Sequence, residues 1–203
     1  MLYSDPPFDL GETLKGTQKI VNDDGSVTTT LINEHWEGAV FEFPDVDRTP
    51  AVRGGKSRRS GGTLRAVCVR NIKGSALTVA TATHGLVLGF GTTATGTGRK
   101  AAGQVAGASL SEGDWAGVGD PELGTTTVAD DDLFWLIIGG AVPVYAEGAG
   151  SPIGVGNAVV ADADVHGDVI VADAANIIGG ILGIALDDIA DDAVGLVHLC
   201  VNY

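Results

Sequence analysis

Nowhere in this sequence do apolar residues recur at i, i+3, i+4 and i+7 over a dozen positions, and that missing period excludes a helical architecture. Apolar residues come instead in short alternating runs such as LRAVCVRN, SALTVATA and HGLVLGF, broken by Gly, Asn, Asp and Pro. Alternation with a period of two is the mark of a strand with one face buried. Glycine supplies 31 of 203 residues, about twice the usual share of roughly 7%. Without a collagen period, that glycine reads as tight turns between strands. The expected fold is all-β, a β-barrel or β-sandwich of short strands with an extended N-terminal arm. Helix is limited to single turns, expected near Asp187–Asp192.

Residues 1–16 mix Pro, Gly and Asp with isolated apolar residues and read as an extended arm, held down if at all by a neighbouring copy. TQKIV and SVTTTLI then flank Asn22-Asp23-Asp24-Gly25, a hairpin signal, and HWEGAVFEF reads as a strand. From Pro44 to Gly62 two prolines, four glycines and five bases predict a long loop. The expected division is therefore an arm over 1–63, carrying the hairpin and the basic loop, and a β-rich domain over 64–203. Within the latter, DLFWLIIGGAVPVYAEGAG predicts a strand pair pivoting at Gly139-Gly140. GNAVVADADVHGDVIVADA predicts a hairpin, and ILGIALDDIADDAVGLVHLCVNY a strand, an acidic turn and a closing strand. Cys68 and Cys200 both sit in apolar runs and are expected as buried free thiols.

Charge is divided sharply along the chain. From Ala101 to Tyr203 there are sixteen Asp and Glu and no Lys or Arg, while eight of the twelve bases fall between Arg48 and Lys73. The two parts stand near +2 and −16 within a total of −14. An acidic body repels nucleic acid, and no aromatic residues interleave with the bases to stack on nucleotides. No nucleic-acid partner is expected. A basic strip of Arg48, Arg53, Lys56, Arg58, Arg59, Arg65, Arg70 and Lys73 is suited to docking on an acidic protein surface.

Sites of chemistry are not indicated. The Asp runs at 130–132, 162–164 and 187–192 lack the D-x-D-x-D-G spacing of a calcium loop, and read as turn acids. His35, His84, His166 and His198 have no partner at zinc-site spacing. Neither G-x-S-x-G nor a phosphate-binding G-x-x-x-x-G-K-[ST] occurs. No cofactor and no enzymatic activity are expected. The longest apolar runs, near ten residues and interrupted by glycine, fall short of the ~20 needed to span a bilayer. No signal peptide is indicated, so synthesis in the cytoplasm and no membrane association are expected.

Two stretches resemble a known family. Val69-Arg70-Asn71-Ile72-Lys73-Gly74-Ser75-Ala76-Leu77-Thr78 resembles the V-x-N-x-[ST]-G-x-x-L strand–turn–strand of small head proteins of tailed phages. Gly156–Val160, Gly167–Val171, Ile181–Asp188 and Gly195–Leu199 are similar to the G-x-A-V…G-x-V…G-x-A-L-[ED]-D…V-x-V-x-L ending of phage capsid decoration proteins. The likeness covers about 64–203, and departs from the pattern at Ile189–Ala193, where a glycine-containing step is usual. It implies a non-enzymatic virion protein that binds the outer face of an icosahedral shell as a homotrimer and stabilises it, in the virion after synthesis in the host cytoplasm. The implied partners are the major capsid protein and further copies of itself. Arg48, Arg53, Lys56, Arg58 and Arg59 become the capsid-docking candidates, with the acidic hairpins Asp162–Asp168 and Asp187–Asp192 facing solvent. Another virion part (a fibre base, tail or shell accessory subunit), a trimeric all-β hydrolase and a calcium-dependent adhesin are the alternatives.

Overall fold

In the computed structural model, the described residues are 5–44, 62–90, 101–105, 115–146, 152–162, 167–172 and 181–201. The strands in chain order are β1 (Thr17–Val21), β2 (Val27–Leu31), β3 (Val40–Pro44), β4 (Thr63–Asn71), β5 (Leu77–Thr78), β6 (Val87–Phe90) and β7 (Ala101–Val105). They continue with β8 (Trp115–Gly119), β9 (Thr127–Val128), β10 (Leu133–Ala146), β11 (Ala158–Ala161), β12 (Val169–Val171), β13 (Gly183–Ala185) and β14 (Ala193–Cys200). Helix is confined, among the described residues, to single turns at Glu34–Trp36 and Pro121–Leu123. The protein is all-β. The residues at 187–192 form bends and turns rather than a helical turn.

One long strand organises two barrels. Ten strands run in the order β12-β11-β13-β14-β10-β8-β6-β7-β4-β3, and further pairings of β10 with β4 and with β12 close the sheet twice. The first ring is β10-β8-β6-β7-β4 and the second is β10-β14-β13-β11-β12. A ring of five strands cannot alternate direction all the way round, so each needs a parallel pair. The first has it between β4 and β7, where Arg70 lies beside Ala101, and the second between β10 and β12, where Ala146 lies beside Val169. Every other pairing in the rings is antiparallel.

At Gly139-Gly140 the chain does not turn back as a hairpin: it runs on as one continuous strand of 14 residues, with a bulge between Ile137 and Gly139. Its first half reads LFWLII, an unbroken apolar run, because both faces are covered. Phe134, Leu136 and Ile138 pack with Val67, Val69 and Leu88 beneath Leu77 and Val128 of the β5–β9 ribbon. Leu133, Trp135 and Ile137 face the other way, toward Ala66, Cys68 and the N-terminal segment. Past the bulge the parity changes, and Val142, Val144 and Ala146 continue that second cluster into the other barrel with Val159, Val169, Ala185, Val197 and Leu199. An extra residue in a strand does this, since one step of slip turns every later side chain over. Gly140 accommodates it at φ +97°, where an added Cβ would lie 2.5 Å from the Thr63 carbonyl oxygen.

Residues 5–16 are not a free arm. Phe8 stacks on Trp135 with ring centroids 4.7 Å apart, and the Trp135 indole N–H donates to the Phe8 carbonyl at 3.2 Å. Phe41 and Phe43 meet the same indole edge-on. Leu14 and Leu133 exchange both backbone hydrogen bonds. Burying a Phe side chain contributes about 1.5–3 kcal/mol, while ordering each residue costs about 1–2 kcal/mol. Several anchors are therefore needed, and Leu10 and the Gly11 and Gly16 amides supply them. β3, on the arm side of the expected division, pairs with β4 in the main sheet.

Candidate interaction surfaces

Arg48, Arg53, Lys56, Arg58 and Arg59 all lie outside the described residues. Of the rest of the basic strip, Arg65 and Lys73 are exposed. Arg70 is buried, which removes it from any docking role. Its guanidinium has five N–H donors, and each finds an acceptor. Nε and Nη2 both reach Glu37 Oε1 at 2.6 Å. Nη1 donates to the carbonyls of Gly16 and Asp131 at 2.9 and 2.6 Å, and Nη2 also donates to the Ile32 carbonyl at 2.9 Å.

Those carbonyls explain what Arg70 does. Gly16 precedes β1 and Ile32 follows β2, so one side chain grips both feet of the hairpin. The Ile32 amide donates to the Gly16 carbonyl at 2.8 Å, and the Gly16 amide donates to the buried Asp132 carboxylate at 3.0 Å. Above this base β1 and β2 pair with each other in a two-stranded sheet, Thr17 opposite Leu31 through Val21 opposite Val27. Asp24 closes the tip by accepting from the Ser26 amide and hydroxyl, which hold its carboxyl below the usual range. Neither face of the hairpin is covered: Val21 is 71% and Val27 58% exposed, and Ile20 and Leu31 are exposed too. Two-stranded hairpins are at best marginal alone, and the clamped base is what holds this one in place.

A second exposed apolar area lies on β13 and β14, where Ile184, Leu186 and Val194 face outward. Cys200 lies there too, exposed rather than buried, because the alternation in β14 turns Val197 and Leu199 inward and its neighbours out. Cys68 is the buried thiol, pushed up to about 12 by burial first and the Glu37 carboxylate second. Both cysteines are free.

The acidic hairpins divide. Asp187, Asp188, Asp191 and Asp192 are exposed. Asp162 and Asp168 are buried, contrary to expectation, where β11 and β12 meet the seam between barrels. There the Val87 amide donates to the Gly167 carbonyl at 2.9 Å, and the Gly85 amide to the Pro143 carbonyl at 3.1 Å. Burial, then Asp162 and Asp192, push the Asp168 carboxyl up to about 6. His84 stacks on Tyr145, its ring nitrogen Nδ1 3.0 Å from the hydroxyls of Thr81 and Thr83, and burial lowers its pKa. Among the described residues, no group of three His, Cys, Asp or Glu side chains is arranged to hold a metal ion, and no helix is long and apolar enough to cross a membrane.

Sequence reasoning missed the role of Arg70, and a signal was present. A lone charge inside AVCVRN, in a strand covered on both faces, requires a buried partner. No family model matches the chain, and neither the curated proteins nor the solved structures give a match.

Proposed function

We propose that this chain is a structural virion protein that binds the outer surface of an icosahedral phage capsid and stabilises it as a trimer. The observation that carries this reading is where the family-like stretches fall. Gly156–Val160, Gly167–Val171, Ile181–Asp188 and Gly195–Leu199 lie on β11, β12, β13 and β14, four successive strands of the second barrel. These four strands follow one another along the chain, so the likeness covers the second ring as a unit. The glycines also have structural work: a Cβ on Gly183 would lie 2.4 Å from the His198 carbonyl oxygen across the β13–β14 pair.

Two further features suit the role. The clamped hairpin offers apolar side chains on a fixed base, the form of an element made to be covered by a neighbour. The basic stretch holding Arg48, Arg53, Lys56, Arg58 and Arg59 begins just after β3 and offers cations to acidic residues of the major capsid protein. In a trimer three such weak contacts act together through effective concentration.

The test is binding of purified protein to expanded shells. Reversing charge at Arg58 and Arg59 is expected to weaken occupancy, and the wild-type contact to weaken with added salt. Unchanged occupancy after the reversal removes the basic stretch from the contact. Electron microscopy that places the protein on a tail or fibre favours another structural virion component.

A further inference from the structure

Residues 84–87 fasten the two barrels together by alternate bonds. On the first barrel's side the Leu86 amide donates to the Val79 carbonyl at 3.0 Å, and the Gly119 amide to the Leu86 carbonyl at 2.8 Å. The Gly85 and Val87 amides turn the other way, to the Pro143 and Gly167 carbonyls at 3.1 and 2.9 Å. Leu86 sits so close to Gly167 that an added Cβ there would lie 2.8 Å from its Cδ2. Next to this seam three polar side chains stand in a row. Val169 pairs with Ala146 on one side and Ala161 on the other, and all three belong to the second barrel's core. Alternation therefore turns Tyr145, Asp168 and Asp162 outward, side by side at the ends of β10, β12 and β11. Asp162 and Asp168 are nonetheless buried, 6% and 7% exposed. His84 stacks on Tyr145 with ring centroids 5.4 Å apart, and the Tyr145 hydroxyl donates to the Asp192 carboxylate at 3.5 Å. Among the described residues, no hydrogen bond or ion pair holds the Asp168 carboxylate. The charged groups that act on it, Asp162 from the end of β11 and Asp192 from the turn before β14, are both acids.

We propose that this seam is a proton-controlled latch: with Asp168 neutral, residues 84–87 stay bonded to Gly167, and ionisation of Asp168 loosens them. A neutral carboxyl tolerates a buried site without partners far better than a carboxylate, which gains by reaching water. Gly167 precedes Asp168 directly, so the backbone that must shift to wet the carboxylate is the backbone whose carbonyl holds Val87. Burial first, then the two acids, push the Asp168 carboxyl up to about 6, against about 3.9 in an open chain. The closed seam thus holds the proton more tightly. Its contribution to closure is complete below about pH 3.9 and lost as pH rises through about 6. His84 acts with the opposite sign: burial lowers its pKa, so closure favours the neutral ring and weakens in acid.

The experiment is native-state hydrogen exchange on the full chain, wild type and Asp168→Asn, at pH 5 and pH 8 with low concentrations of urea. Dividing wild-type by variant protection at each pH cancels the chemistry of exchange and the titration of His84. For the Val87 amide this ratio is expected to fall about tenfold from pH 5 to pH 8, the change that carboxyl values of about 6 and about 3.9 allow over that interval. Val87 is also expected to exchange through a small opening that urea barely promotes. The Asn71 amide, which donates to the Asp132 carbonyl in the first barrel, exchanges by global unfolding with a steep dependence on urea. Asp168→Ser, equally without a titrating proton, replaces Asp168→Asn should that variant not fold. A Val87 ratio that is the same at both pH values overturns the proposal. So does Val87 exchange with the urea dependence of Asn71, because the seam would then open only when the whole fold does.

Discussion

The two barrels share β10 and a strand count but treat their buried polar groups in opposite ways. In the first, Arg70 saturates all five donors. The Asn71 amide donates to the carbonyls of Ser75, Val128 and Ala129 at 2.9–3.1 Å and accepts from the Lys73 amide. Asp120 accepts from the Gly11 amide at 2.6 Å and the Glu122 amide at 2.9 Å. Each of these side chains ties a sequence-distant segment to the barrel wall. In the second barrel the carboxyl of the buried Asp168 is raised by burial first, and by the Asp162 and Asp192 carboxylates after it. The first barrel thus gains specificity from its polar groups, and in the second a buried carboxyl works against the apolar packing around it.

The sharpest way to break that contrast is at Arg70. Arg70→Ala is expected to destabilise by about 3–5 kcal/mol, because it leaves the Glu37 carboxylate buried without its counter-charge. Adding Glu37→Gln should restore part of the loss, since the strandedness of a charge rather than lost volume dominates. Equilibrium urea unfolding of the two single variants and the double variant measures this coupling. Strictly additive losses would show that the pair is ordinary packing, and the distinction between barrels would fail.

A smaller, opposite effect is expected at Asp168. Its carboxyl is raised to about 6, against about 3.9 in an unfolded chain. The folded state therefore holds the proton more tightly, so this group's stabilising contribution is fully present below about pH 3.9 and is lost as pH rises through about 6. At pH 7 the wild-type protein carries a buried charge, with like charges near it, that Asp168→Asn lacks. The variant should melt higher than wild type at pH 7, with the gap narrowing at pH 5. A gap that does not change with pH refutes a raised pKa for Asp168.

Much of this was legible because alternation is a local signal. The turn at Asn22–Gly25, the β11–β12 hairpin and the acidic turn between β13 and β14 follow from neighbouring residues alone. What the pattern could not carry was pairing across long separations. Phe8 and Trp135 lie 127 residues apart, and nothing near Phe8 announces an indole. The parallel closures beside Arg70 and Ala146 depend on ring parity, a property of no single segment. The phase of LVHLCV was equally ambiguous, because both alternating sets contain apolar residues, so Cys200 could not be assigned outward. The docking candidates at Arg48–Arg59 lie outside the described residues and gained no geometry.

The smallest stability effect is expected where the first barrel meets solvent, on the hairpin it clamps. Val21 and Val27 face each other across β1 and β2 and are more than half exposed. Replacing both with Thr keeps β-branching and strand preference, so thermal or urea unfolding should move by no more than ~0.5 kcal/mol. Arg70 holds the feet of the hairpin and Asp24 its tip, and neither depends on these side chains. Shell occupancy should nevertheless fall if the hairpin works by being covered, because the apolar area lost to hydroxyls is area a neighbour would have buried. A stability loss well above that range would mean that the valines already pack within the chain, and the hairpin would then be part of the first barrel's wall, with no surface left to offer.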